Sequence, residues 1–311
     1  MLSKLLFVRI NQRSMIMCYR YKFMSIFFLT LVAPISFAEN IVVPKVKYNY
    51  VSFSSISDKN ELKTHTVAAK LSVPINVKRA PVIIIAHGSG GIDERGYKYS
   101  KSFNDANIAT LEIDMWAARG LDGGLSRPKH VKETLPDIYG AVKYLTSRSD
   151  IDTDRIGFIG FSWGGVLAML IANDTNVLSH NLTALIANYP VCWAYNKIPG
   201  YDFKEVKPNK SLLVISGGHD EYDDPQDCAN LIDFLPQDSK LRTKHIHFDD
   251  ATHAFELPRP SSSFFDPYAF KGKGGLVSIS YNKKATDVSV TKAVSFMKDK
   301  IVNRSVISQR H

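Results

Sequence analysis

Ser162 stands between Gly160 and Gly164 in the stretch IGFIGFSWGG, residues 156–165, directly after an apolar run. A Gly-x-Ser-x-Gly on a sharp strand-to-helix turn holds a serine hydroxyl clear of the backbone, where it can attack a carbonyl. The competing reading is a glycine-rich turn with an incidental serine. An unassisted hydroxyl is a weak nucleophile, so the chemistry needs a neutral imidazole to take its proton. It also needs a carboxylate to hold that imidazole in one tautomer, and backbone N–H donors for the oxyanion that forms.

The chain offers each group in a consistent order. Asp220 follows the strand-like run SLLVISGG, with Glu221, Asp223 and Asp224 as alternative acids. His253 follows KHIHFDDAT. His245 and His247 fall inside that run as sheet-face residues, and His219 is a further competitor. Serine, acid, then histidine is the order a hydrolase triad takes on an open parallel sheet. The oxyanion donors are expected to be the N–H of Trp163, next to the serine, and that of Ser89 in the loop His87-Gly88-Ser89-Gly90-Gly91. His87 reads as a structural histidine bonded to backbone.

These residues can meet only if strands carry them to one edge. PVIIIAHG, IATLEIDMW, RIGFIGFS, LTALIANYPV, SLLVISGG and KHIHFDD read as strands, several of them apolar throughout, as strands buried on both faces are. LPDIYGAVKYLTSR, WGGVLAMLIAND and a segment near 285–303 read as helices, the last with Val290, Val294, Met297 and Ile301 on its buried face. YVSFSSI and HTVAAKLSVP suggest a leading antiparallel pair. Alternating units of this kind predict an α/β fold, a mostly parallel doubly wound sheet with helices on both faces. Functional residues then gather at the carboxyl ends of the strands. Residues 257–283, polar and rich in glycine and serine, are expected to form a surface loop.

The formal charge of +9 is concentrated at the start of the chain. Residues 1–38 hold five basic residues and no acid, so 34 basic against 30 acidic residues remain, a net of +4. That is too mild and scattered for a nucleic-acid partner. The basic start leads into FMSIFFLTLVAPISFA, with Ser36 and Ala38 suited to a cleavage site. A cleavable signal peptide over 1–38 is therefore expected, leaving a single domain over 39–311 in the periplasm or outside the cell. An uncleaved anchor is the alternative; the apolar run is short for a span and contains Pro34, so no stable membrane insertion is expected after cleavage. The true start could equally be Met17 or Met24. After cleavage two cysteines remain, Cys192 and Cys228, candidates for one disulfide or for two buried thiols. Neither belongs to a metal-binding cluster, so neither a metal nor another cofactor is expected.

Seven pieces in order, HGSGG, IDMWAARG, IDTDRIGFIGFSWGG, ANYPVC, ISGGHDEYDDPQDC, ATHAFE and YNKKATDVSVTKAVSFM, resemble the dienelactone hydrolase family of α/β-hydrolases. The resemblance spans roughly residues 80–300 and implies Ser162, Asp220 and His253 as the triad. The enzymes that gave the family its name carry a cysteine nucleophile where this chain has Ser162, which implies a broader serine esterase. Trp116 and Trp163 are candidates for an apolar acyl pocket, or else core tryptophans. Arg119 is a candidate to reach that pocket, or else a loop brace. The expected activity is hydrolysis of a small-molecule carboxylic ester or lactone through an acyl-enzyme. Amide hydrolysis on the same fold and a catalytically silent binding protein are the alternatives.

Overall fold

The computed structural model describes residues 44–56 and 64–303. The expected signal peptide lies outside the described residues.

Strand β1, Val46–Ser54, pairs antiparallel with β2, Thr66–Pro74, and β2 pairs antiparallel with β4, Ala109–Asp114. From β4 the sheet is parallel through β3 (Ala80–Ala86), β5 (Ile151–Phe161), β6 (Leu182–Asn188), β7 (Ser211–His219) and β8 (Thr243–Thr252). The eight strands lie in the order β1-β2-β4-β3-β5-β6-β7-β8. This is the α/β-hydrolase arrangement expected from the sequence. The central strands have no solvent face: every residue of β3 is buried. That burial explains why β3 shows an unbroken apolar run in place of alternation.

Helices cover both faces. Tyr99 and Phe103 of α1 (Glu94–Asp105) share one buried cluster with Ala293, Phe296 and Met297 of α7 (Lys283–Met297). Residues of α2 (Leu135–Thr146), α3 (Trp163–Asn173) and the short α4 (Asp227–Asp233) fill the other cluster; α5 (Gln237–Leu241) leads into β8. Of the eleven residues of α3, all but Leu170 and Asn173 are buried, as a helix apolar on every side requires. The expected face of this last helical segment does meet the core: Met297 and Ile301 are fully buried and Val290 and Val294 are half-buried against the same cluster, and Ala285, Ser289 and Ala293 extend the buried stripe. Ser289 is inside because its hydroxyl meets Tyr99 Oη at 2.7 Å.

Residues 257–283 are not the plain loop the composition suggested. Ser262–Asp266 (β9) and Gly275–Ile279 (β10) form an antiparallel hairpin, with Ser262 opposite Ile279. A short turn, α6 (Ala269–Gly272), closes it, with Phe270 and Lys271 at positive φ. Among the described residues no helix is long and apolar enough to cross a membrane.

Candidate active site

Strand β5 ends at Phe161 and α3 begins at Trp163, so Ser162 makes the whole turn at φ 52°, ψ −105°. A non-glycine residue held there costs about 1–3 kcal/mol. The neighbouring glycines make the turn sterically feasible. A Cβ on Gly160 would lie 1.9 Å from the Gly164 carbonyl oxygen, and one on Gly164 would lie 2.3 Å from that of Ala86. Ser162 N–H donates to Asn188 O at 3.0 Å and Gly164 N–H to His87 O at 3.2 Å, tying the elbow to the ends of β6 and β3.

The structure brings together Ser162, His253 and Asp220 from the ends of β5, β8 and β7. Ser162 Oγ lies 2.9 Å from His253 Nε2, and His253 Nδ1 lies 2.8 Å from Asp220 Oδ2. The second Asp220 oxygen accepts from Tyr222 N–H at 3.0 Å. Asp220 and His253 are 5% and 4% exposed, so little water competes for these bonds. The His253 ring is held between two tyrosines, Tyr189 at 4.7 Å and Tyr222 at 4.5 Å between centroids. Tyr189 is itself fixed, donating to Glu256 Oε2 at 2.7 Å and accepting from Arg95 at 3.0 Å. Chemically, this chain can pass a proton from the serine hydroxyl to the imidazole and stabilise the cation that forms.

The alternative acids, and two of the three alternative histidines, are engaged elsewhere. Glu221 accepts from Ser278 N–H in the hairpin, and Asp224 pairs with Lys271. Asp223 accepts from the N–H groups of Cys192 and Trp193 at 2.7 and 2.8 Å. Burial, then repulsion from Asp220, pushes the Asp223 carboxyl well above the usual carboxylate range. His245 and His247 meet on Ser216 Oγ, at 2.8 and 2.9 Å, on the sheet face.

The loop after β3 is rigidly held. His87 Nε2 accepts from Met115 N–H at 3.0 Å and its Nδ1 donates to Gly88 O at 2.7 Å; burial lowers its pKa, which keeps this neutral tautomer. The Ser89 carbonyl accepts from Trp116 Nε1 at 3.0 Å and from Gly124 N–H at 2.7 Å. Trp163 is the first residue of α3, so its N–H has no acceptor within the helix.

Two pocket assignments need correction. Arg119 does not line the cavities beside Ser162. Its guanidinium grips Asp137 at 2.6 and 3.1 Å and the carbonyls of Met115 and Glu133, bracing a loop because Asp137 is fully buried and needs a cation. Trp116, 3% exposed, lines neither cavity and is a core tryptophan, bonded to Ser89 O and edge-on to Trp163 at 5.3 Å. Trp163 does line a cavity.

Ser162 opens onto two cavities, of about 300 and 440 Å³. The first is mainly apolar, with Trp163, Val166, Trp193, Ile198, Tyr201 and Tyr268 in its walls. The second includes His253, Arg95, Leu257, Phe264 and Phe265. Arg127, Tyr222 and Asp266 border both. Arg127 reaches Asp266 at 3.1 Å and Tyr222 Oη donates to Asp266 at 2.8 Å. None of these residues stood out in the sequence. The one available signal was a clustering of aromatic residues, Phe264, Phe265, Tyr268 and Phe270, in a segment that otherwise looked polar.

Cys192 and Cys228 form a disulfide with Cα atoms 5.0 Å apart. Among the described residues one group of metal-ligating side chains converges, Cys192, Asp223 and Cys228, but its two sulfurs are bonded to each other.

The sequence profile described as the dienelactone hydrolase family matches residues 67–301. Hydrolase YtaP of Bacillus subtilis (strain 168) is 32% identical over 112 residues, 28% of this chain and 37% of that protein, so the chain spans just over a third of the length of this relative. Among solved structures, the dienelactone hydrolase from Anabaena variabilis superposes with a TM-score of 0.54 at 19% identity, covering 82% of this chain and 99% of that one. The Pyrococcus furiosus esterase Pf2001 superposes at 0.55 with 14% identity, covering 82% and 93%. At these identities the structural likeness carries the fold alone.

Proposed function

The chain belongs to the dienelactone hydrolase family, and from that premise we propose that it is an exported serine hydrolase that cleaves carboxylic esters through an acyl-enzyme. The observation that carries this reading is the continuous hydrogen-bonded chain from Ser162 Oγ through His253 to Asp220, at 2.9 and 2.8 Å. The esterase named among the structural neighbours is in keeping with it.

In the proposed mechanism Ser162 Oγ attacks the ester carbonyl as His253 Nε2 takes its proton. Asp220 holds His253 with its proton on Nδ1 and stabilises the imidazolium. The N–H groups of Trp163 and Ser89 receive the oxyanion. Collapse expels the alcohol, which takes the proton back from Nε2, and water activated by His253 then releases the acid. Lactones fit the same chemistry. Export rests on the basic-then-apolar segment before Glu39 and on the Cys192–Cys228 bridge, which persists in oxidising compartments.

The test is turnover of p-nitrophenyl acetate and butyrate, with fluorophosphonate labelling, for the protein beside Ser162→Ala, His253→Ala and Asp220→Asn. Loss of about 10⁴-fold or more in kcat for each variant, and label on Ser162 alone, is expected. A protein inert to every ester and to the label would remove the proposal and leave the elbow as a turn.

A further inference from the structure

The two cavities beside Ser162 differ in one respect that bears on substrate orientation: His253 borders only the second. Resting on the serine-hydrolase reading above, we infer that the apolar cavity beside Trp163 takes the acyl group and the cavity beside His253 takes the leaving alcohol. Arg127, Asp266 and Tyr222, joined by a salt bridge and a hydrogen bond, border both cavities, and on this assignment they form the wall between the two arms. The substrate class is thus an open-chain ester with a bulky apolar acyl arm and a separate alcohol arm.

The assignment follows from where the proton must go. In acylation the Ser162 Oγ–carbon bond forms and the carbon–alkoxy oxygen bond breaks. The alkoxy oxygen leaves with the proton that His253 Nε2 had taken from Ser162. That oxygen must therefore approach the imidazole, and the chain it carries continues into the cavity that His253 borders. The carbonyl substituent points the other way, between Trp163 and Val166 at the start of α3 and Ile198 across the cavity.

Size and lining agree with this. About 300 Å³ is some ten times the ~30 Å³ share of one liquid water, room for a phenyl ring or a medium alkyl chain. Indole and phenol side chains in that cavity, from Trp163, Trp193, Tyr201 and Tyr268, favour a flat or flexible apolar group.

The wall is well supported. Both Arg127 Nη2 contacts to Asp266 are 3.1–3.2 Å, Tyr268 N–H donates to Asp266 Oδ1 at 2.8 Å, and the guanidinium lies 5.1 Å from the Tyr268 ring. Asp266 is 1% exposed, so its charge is neutralised by Arg127 and is not offered to substrate. A large rigid lactone ring, whose acyl and alkoxy arms remain tethered, would have to cross that wall.

The experiment treats the full protein with p-nitrophenyl hexylphosphonates, in which Oγ–phosphorus bond formation expels nitrophenolate and leaves the hexyl chain on Ser162. A crystal structure of the adduct should place the hexyl chain against Val166 and Ile198. A chain running instead past His253 toward Phe264 overturns the assignment while leaving the serine-hydrolase reading intact. Absence of any adduct overturns that reading, and this one with it. In parallel, Ile198→Trp should lower kcat/KM for octanoate relative to acetate by about tenfold or more, the scale of a lost methylene fit in an apolar pocket. Phe264→Trp should instead lower the ratio for bulky over small alcohols at constant acetyl. Interchanged selectivities would also overturn the assignment, and melting curves of each variant establish that it is folded.

Discussion

Tyr222 packs its ring against His253, 4.5 Å between centroids and tilted by 53°, while its hydroxyl holds Asp266 of the hairpin and its N–H holds Asp220. One residue thus joins the imidazole, the acid that orients it and the segment that walls the site. The hairpin is coupled to the chemistry through this side chain.

Replacing Tyr222 separates the two roles. Tyr222→Phe keeps the ring on His253 and loses one charge-assisted hydrogen bond, so stability should fall by about 1–3 kcal/mol with kcat on acetate esters little changed. Tyr222→Ala also frees the imidazole to shift, and a displacement near 1 Å costs up to about 10²-fold in kcat. Equal kcat for the two variants would show that the ring does not position His253.

Gly164→Ala tests the elbow by steric means. Its Cβ would be 2.3 Å from Ala86 O, a backbone atom that cannot rotate away. A destabilisation of about 3 kcal/mol, read from the urea midpoint, is expected together with lost activity. Unchanged stability would mean that the turn has more room than the β3–α3 approach provides.

The disulfide closes a loop with a sequence separation of 36 residues, and an unstrained bridge of that length contributes up to about 4 kcal/mol. It also joins the segment carrying Trp193, in the apolar cavity, to the helix that follows Asp220 and Asp223. Cys192→Ser with Cys228→Ser should therefore lower Tm by about 8 °C or more and weaken long-acyl esters more than acetate. Alkylation of the unreduced protein should find both thiols blocked.

Arg119→Ala leaves Asp137 buried without its cation, which costs about 3–5 kcal/mol. Because the guanidinium braces a loop and faces no substrate, KM values for neutral and anionic esters should move together. A selective loss on anionic esters would return Arg119 to the pocket.

Glu112 on β4 supplies a pH signature. Burial, opposed in part by Lys70, raises its pKa from 4.5 to about 7. A carboxyl whose pKa is raised in the folded state favours folding at low pH, with the effect fully present below about pH 4.5 and lost as pH rises to about 7. Above pH 7 its charged form opposes folding by about 3 kcal/mol at most. Glu112→Gln should then raise Tm at pH 8 relative to the parent and change it little at pH 5.

Sequence alone determined the parts of this protein that depend on local constraint. The Gly160-Phe161-Ser162-Trp163-Gly164 turn is legible because only residues without a Cβ fit where β5, α3 and β3 crowd together. The parallel sheet is legible because strands buried on both faces, such as β3, must be apolar throughout. Strand ends then point to Ser162, Asp220 and His253. Tertiary structure alone decided which neighbours those residues keep. As residue types Asp223 and Glu221 offer a carboxylate just as Asp220 does, and only the loop path turns Asp223 to the Cys192 segment and Glu221 to the hairpin. Arg119 could be read as a pocket or a brace until Asp137 was found beneath it. The wall joins Arg127 to Asp266 across 139 residues, and the hairpin that presents Asp266 looked like a loop. Contacts of that range depend on how loops of no fixed periodicity fold over a finished sheet, and no local pattern of residues encodes them.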